Sequence, residues 1–296
     1  MIALRLRERT VAVEPGRPLL MGIVNAGPDS FSDAVRLDTI DDQVRHGVAL
    51  VSEGADLIDV GAESGVTYSD ATPPEEEIAR VVPLVERLVA EGVAVSVDTW
   101  KPAVARSVLD AGAVMLNDVS GLADPALADL AARTGAALVL MHTRAQPKEE
   151  AFPAYDDVVG DVEAFLRARM ALAQERGVAV EQLVLDPGPD FAKTPSQTVE
   201  VLRALDRLRA LRRPLLLAIS RKYFVGAITG RPPAERLPGT IAAALWAARA
   251  GAAILRVHDV AAVRDALAVD TVLEGRAEVP AFDRDDEELK WIRTDR

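Results

Sequence analysis

The sequence predicts an α/β protein built as one closed eight-stranded barrel, preceded by an N-terminal β-hairpin. Two observations carry that prediction. Eight apolar bursts, at 20–25, 57–63, 93–98, 114–118, 138–142, 183–186, 214–222 and 254–258, each run directly into polar residues. Continuous apolar runs of this length suit strands buried on both faces of a parallel sheet. Seven stretches of helical character separate the bursts, and another follows the last. Eight β-then-α units suit closure into a barrel whose strand C-termini share one mouth. Asn25, Glu63, Asp98, Asn117, His142, Asp186, Lys222 and His258 would then converge there.

The elements follow in order. Residues 2–13 alternate loosely around a polar Arg7-Glu8-Arg9 centre, which reads as a hairpin closing the barrel bottom. Residues 39–54 place Ile40, Val44, Val48 and Val51 on one helical face, with Gly54 as the stop. Three glutamates, Glu75, Glu76 and Glu77, favour a helix start, and Ile78, Val82, Val85 and Leu88 supply its apolar stripe. Pro102 fits the first turn of a helix that Gly112 ends. Residues 125–134 and 158–176 are helices stopped by Gly135 and Gly177, with a long polar loop of the mobile βα type at 142–157. Residues 196–211 read as one amphipathic helix. The pair Pro238-Gly239 reads as a breaker, followed by a helix over 240–250 with Thr240 as N-cap. A last helix lies near 259–268. The barrel domain is assigned to 1–275 and an acidic tail to 276–296, which reads either as one short helix ending at Trp291-Ile292 or as partly disordered.

Composition narrows the function classes. The chain has 296 residues, 49% of them hydrophobic, enough for one large core. It has no cysteine, which excludes thiolate catalysis and Cys-ligated metal sites and suits a reducing cytoplasm. The start Met1-Ile2-Ala3-Leu4-Arg5 lacks the long apolar core of a signal peptide. No stretch approaches the roughly 20 apolar residues of a membrane span. A net charge of −12 argues against nucleic acid as a partner.

The strand ends carry the chemistry. Asp98 and Asn117 could read the donor and acceptor edge of a heterocycle, or each could cap the following helix. Asp186 offers another acceptor and Phe191 a ring face, unless Phe191 is plain loop packing. Arg256 and His258 alternate onto one strand face, where they suit a phosphate or diphosphate, or ion pairs with neighbouring carboxylates. Together these groups make a mouth too polar to be filler, because unpaired buried polar groups cost free energy.

In order along 14–268, these pieces resemble the dihydropteroate synthase family: Asn25 with Pro28-Asp29-Ser30-Phe31-Ser32-Asp33, Asp59-Val60-Gly61 with Glu63-Ser64, Ser96-Val97-Asp98-Thr99, Asn117-Asp118-Val119-Ser120-Gly121, Met141-His142, Asp186-Pro187-Gly188 with Phe191 and Lys193, Ser220-Arg221-Lys222 and Arg256-Val257-His258. The resemblance implies a single (β/α)8 TIM barrel, a homodimer, and a transferase of folate biosynthesis. Such a transferase joins 6-hydroxymethyl-7,8-dihydropterin diphosphate to p-aminobenzoate with Mg2+. It implies that Asp98, Asn117, Asp186 and Lys222 bond the pterin, that Val119, Met141 and Phe191 line its pocket, and that Arg256 lies against the ring. It implies that Asn25, Arg256 and His258 hold diphosphate, with Asn25 also a Mg2+ ligand, and that Asp186, Lys222 and Asn25 are the catalytic set.

The chain departs from the family pattern on the other substrate's side. Ala26-Gly27 stand for Val-Thr, Gly65 and Val66 for Thr and Arg, Asp190 for Gly, and Tyr223 for Ser. The resemblance implies that Phe31, Gly65, Val66, Phe191 and Tyr223 lie on the second-substrate side. Three readings follow: a synthase with altered loops, a paralog that binds the pterin diphosphate but uses another amine or lacks synthase activity, and a pterin-dependent methyltransferase. Ser220-Arg221-Lys222 with Arg256-Val257-His258 favours the first two, since a methyltransferase needs no diphosphate clamp. A non-catalytic partner subunit on the same scaffold is a fourth.

Overall fold

A computed structural model describes residues 1–14, 16–27, 39–63, 71–149 and 151–279. Strands β1 (Ile2–Leu6) and β2 (Arg9–Val13) pair antiparallel around a turn at Arg7, which takes a left-handed φ of 57°. The barrel strands are β3 (Leu19–Asn25), β4 (Leu57–Gly61), β5 (Val95–Asp98), β6 (Met115–Asp118), β7 (Ala137–Met141), β8 (Leu183–Asp186), β9 (Leu216–Ala218) and β10 (Ile254–Val257). They pair in parallel in the order β8-β7-β6-β5-β4-β3-β10-β9. A parallel bridge between Leu185 and Leu215 closes β8 onto β9. Each of the eight bursts therefore overlaps one barrel strand.

Strand alternation sorts the apolar residues into two cores. Met21, Leu57, Met115, Val139, Val184, Leu216 and Ile254 fill the barrel interior, and Leu4, Leu6 and Val13 of the hairpin plug its floor. The intervening residues, among them Leu20, Ile58, Val97, Leu138 and Leu255, pack outward against the helices. Because the plug fills the bottom, polar inward groups are confined to the upper rungs, where the strands end.

The helices are α1 (Ile40–Ser52), α2 (Pro74–Ala90), α3 (Pro102–Asp110), α4 (Ala126–Thr134), α5 (Val158–Glu175), α6 (Pro195–Arg203), α7 (Leu205–Arg209), α8 (Tyr223–Thr229), α9 (Leu237–Arg249) and α10 (Val260–Leu273). Three expectations need correction. The helix expected over 196–211 is two helices, broken at Ala204 (φ −105°, ψ 23°). A short helix over 223–229 was not foreseen. Pro238-Gly239 does not break the chain: Pro238 lies in the first turn of α9, where a missing N–H costs nothing, and the N-cap is Arg236. Thr240 is fully buried, and its hydroxyl accepts the Arg221 N–H at 3.0 Å instead of capping. The tail helix expected at Trp291-Ile292 lies outside the described residues.

Candidate active site

Register places the polar residues on shared rungs. Asn25 pairs with Gly61, Gly61 with Asp98, and Asp98 with Asn117, so four neighbouring strands end level. One rung below, Asp59 pairs with Ser96 and Ser96 with Met115. On the opposite wall Met141 pairs with Asp186. Arg256 pairs with Met21 on one side and Ala218 on the other.

At the centre lies a network that sequence reading only half exposed. Asp59 is fully buried and accepts from Arg256 Nε at 2.6 Å and Asn117 Nδ2 at 3.0 Å. Arg256 also reaches Asp98 through Nη2 at 3.4 Å. Neither Asp98 nor Asn117 caps a helix: Lys101 and Pro125 occupy those positions. Asp59 Oδ1 and Ser96 Oγ are buried with no hydrogen-bond partner among the described residues. Such orphaned polar atoms inside a barrel mouth mark a surface shaped for a polar ligand.

The charges are tuned by burial. Asp98 is held well above the ordinary carboxylate range by burial, with Asp59 adding repulsion and Arg256 opposing it. Burial pushes Asp186 up to about 6, against the Gly188 N–H at 2.7 Å and the charges of Lys222, Lys193 and Arg256. Lys222 is pulled below the ordinary lysine value by burial, and its ammonium sits 4.3 Å from the Phe191 ring centroid. A cation above a ring face adds roughly 0.5–2 kcal/mol. His258 Nδ1 lies 2.9 Å from Ser220 Oγ, which also accepts the His258 N–H at 3.3 Å.

Loop geometry presents the remaining groups. Asp118 takes the N–H groups of Ser120 (2.8 Å) and Leu122 (2.6 Å), folding the turn that carries Val119. Lys193, buried, donates to the carbonyls of Gly188 (3.0 Å), Phe191 (3.0 Å) and His142 (3.4 Å), three acceptors for three N–H donors. Gly188, at φ 64°, allows this close packing, since a Cβ there would collide with the His142 carbonyl. Asp190 adopts φ 65°, a conformation that explains why glycine suits this position. Arg221 pairs bidentately with Asp259, Nη2 to Oδ1 at 2.9 Å and Nε to Oδ2 at 3.2 Å, fixing the turn that carries Lys222. Tyr223 is 59% exposed at the start of α8.

Two strand-end groups are placed elsewhere. His142 follows the inward Met141, so alternation turns it outward. It is fully buried, its Nε2 lies 2.9 Å from Asp161 Oδ1, and it meets Phe165 edge-on at 5.0 Å. Burial pushes it down to about 4. Glu63 is engaged by Lys101 (2.5 Å), Lys148 (3.1 Å) and the Thr72 N–H (2.8 Å), and it ties three βα loops together. Phe31, Gly65 and Val66 lie outside the described residues. Asp59, Ser96, Ser220 and Lys193 had no assigned role from sequence, although a lone Asp inside the burst Leu57-Ile58-Asp59-Val60 signals a paired buried charge.

Among the described residues, no group of three or more His, Cys, Asp or Glu could hold a metal. No helix among them is long and apolar enough to cross a membrane.

Comparison with known proteins gives a consistent picture. The family profile of pterin binding enzymes matches residues 21–258. The dihydropteroate synthase of Mycobacterium leprae (strain TN) is 44% identical over 259 residues, 84% of this chain and 91% of that protein. A solved Xanthomonas albilineans dihydropteroate synthase with 4-aminobenzoic acid superposes at a TM-score of 0.84 and 44% identity, covering 94% of this chain and 100% of the other. The same enzyme in complex with 7,8-dihydropteroate gives 0.82 and 43%, with the same coverage.

Proposed function

The chain belongs to the pterin-binding enzyme family and sits among its dihydropteroate synthases, and we propose on that basis how its residues join 6-hydroxymethyl-7,8-dihydropterin diphosphate to p-aminobenzoate. The observation that carries the proposal is the ring of Asp59, Asp98, Asn117, Asp186, Lys222 and Arg256 in one barrel mouth.

Asp98, Asn117, Asp186 and Lys222 bond the pterin edge, while Val119, Met141 and Phe191 pack on its faces. Asp59 holds Arg256 against the ring. Arg256, His258 and Asn25 take the diphosphate. The bond between the pterin CH2 and the diphosphate oxygen breaks, and the electron-rich ring takes up the cationic character. The Asp186 carboxylate stabilises that charge. The amine lone pair of p-aminobenzoate forms the new C–N bond and then loses a proton. That step needs orientation more than a strong base.

Asn25 offers a neutral amide oxygen at a strand end. This suits Mg2+, which binds through few protein ligands plus waters and substrate phosphates. When bound, Mg2+ supplies charge neutralisation to the leaving diphosphate.

Calorimetry with the pterin diphosphate and Mg2+ should give saturable heat. No heat of binding would sink the proposal.

The reading includes a cytoplasmic homodimer, and a cysteine-free chain suits that compartment. The face supporting a second copy lies on α6, α8 and α9. There Val199, Leu202, Phe224, Val225, Ile228 and Trp246 line an apolar depression of about 440 Å³. Ile228 is 68% exposed and Trp246 55%, unusual for side chains of this size on an acidic chain. Replacing Trp246 by Glu should yield a monomer in light scattering, whereas the unaltered chain should give twice the monomer mass. A dimeric variant would place the interface elsewhere.

A further inference from the structure

The groups on the second-substrate side reach the site through loops, and one residue joins two of those loops. Asp190 immediately precedes Phe191 in the loop after β8. Its backbone N–H donates to Thr198 Oγ1 at 3.0 Å, and its Oδ1 accepts from the same hydroxyl at 3.1 Å. Its Oδ2 accepts the Phe224 N–H at 3.2 Å, in the first turn of α8, two residues past Lys222 and one past Tyr223. The loop is therefore bonded both to α6 and to the turn that carries Lys222.

This arrangement is held against strain. Asp190 (φ 65°) and Ala192 (φ 49°) flank Phe191, and both lie in the left-handed region. A non-glycine residue there costs of the order of 1 kcal/mol and persists only where its surroundings over-determine it. Here the surroundings are the Asp190 bonds, the three carbonyl bonds of Lys193, and the Tyr155 hydroxyl on the Ala192 carbonyl at 2.9 Å. Lys193 and Tyr155 tie the loop only to itself and to the β7 side. Asp190 alone among these three reaches α8. Its charge is also the largest one opposing the desolvation of Lys222.

We propose that Asp190 is a positioning residue that locks the Phe191 loop to the Lys222–Tyr223 turn, fixing the spacing of the surfaces between which the arylamine is held. The proposal rests on the synthase reading for the identity of that amine, but the lock itself is a property of the chain.

Two variants separate the terms. Asp190→Gly relieves the left-handed strain but removes both side-chain bonds. Asp190→Asn keeps an acceptor for Phe224 N–H and a partner for Thr198. In hydrogen exchange on the full chain, the Phe224 amide of Asp190→Gly should exchange at least about tenfold faster than wild type, with Asp190→Asn close to wild type; one lost bond of about 1.4 kcal/mol corresponds to that factor. In steady-state kinetics, Asp190→Gly should raise KM for p-aminobenzoate roughly tenfold and change kcat less than threefold, and Asp190→Asn should restore KM. Exchange at Phe224 that is the same in wild type and Asp190→Gly would overturn the lock whatever the activity. Faster exchange with an unmoved KM in an active enzyme would overturn its role toward the amine. A wild-type chain without turnover would instead fail the synthase reading, with the exchange result still deciding the lock.

Discussion

Asp186→Asn is expected to lower kcat/KM by roughly 10²–10³, while making the free protein more stable at pH 8. The kinetic loss follows from its place in the proposed reaction. A preorganised buried charge facing developing opposite charge contributes about 3–4 kcal/mol, and an amide cannot replace it. The stability gain follows from linkage. Burial raises the folded-state value of Asp186 to about 6, above an unfolded value near 3.9. The folded state therefore disfavours the carboxylate, and the wild type bears that penalty in full above pH 6 and not at all below the unfolded value. The variant's advantage should appear as pH rises through about 4 to 6, and a folded value of about 6 against an unfolded value near 3.9 corresponds to about 3 kcal/mol. Calorimetric unfolding at pH 4 and pH 8 measures one half, and diphosphate-release kinetics the other. A variant within tenfold of wild-type activity would remove Asp186 from the catalytic set.

Lys222→Ala should cut affinity for the pterin diphosphate roughly 10- to 100-fold. The ammonium is one of the cations facing the carboxylates of Asp190, Asp186 and Asp98, and it packs on Phe191. Removing it deletes a charge-assisted bond to the pterin, worth about 1.5–3 kcal/mol, and leaves those carboxylates less compensated. Lys222→Arg should not rescue, because a rigid guanidinium fork directs its donors along different lines from the compact ammonium that bonds the pterin. Calorimetric titration reads the effect, and an unchanged affinity would refute the role. The wild-type chain should bind best where Lys222 is charged and Asp186 ionised. Burial depresses the first value and raises the second, so both limbs of the pH profile are drawn toward neutrality.

Much of this was legible in the sequence, for identifiable reasons. Strands of a parallel barrel are buried on both faces, so they appear as apolar bursts, and their polar ends mark the mouth. Asp98, Asn117, Asp186 and Lys222 stand out that way, and Arg256 through its alternation with His258. His142 misled because it stands one residue beyond an inward Met141, and a single step reverses the face. Asp59 was overlooked because it sits within a burst rather than at its end. Its importance shows only when the register brings Arg256 and Asn117 to it from other strands. Lys193 was invisible as a clamp because its three carbonyl partners depend on left-handed loop conformations. The split of 196–211 and the short α8 were lost because neither carries a strong breaker between its halves.

The departures from the family pattern are unevenly placed. The rungs proposed to face the pterin follow the pattern, and Asp190 accepts the Phe224 N–H, next to Tyr223 at the start of α8. That distribution leaves a paralog that binds the pterin without synthase activity as the competing reading. The deciding measurement is turnover: the full chain with 6-hydroxymethyl-7,8-dihydropterin diphosphate, Mg2+ and p-aminobenzoate, followed for diphosphate and 7,8-dihydropteroate together. The account predicts one dihydropteroate formed per diphosphate released, with both dependent on p-aminobenzoate. Saturable pterin binding with no dihydropteroate at any p-aminobenzoate concentration would contradict it.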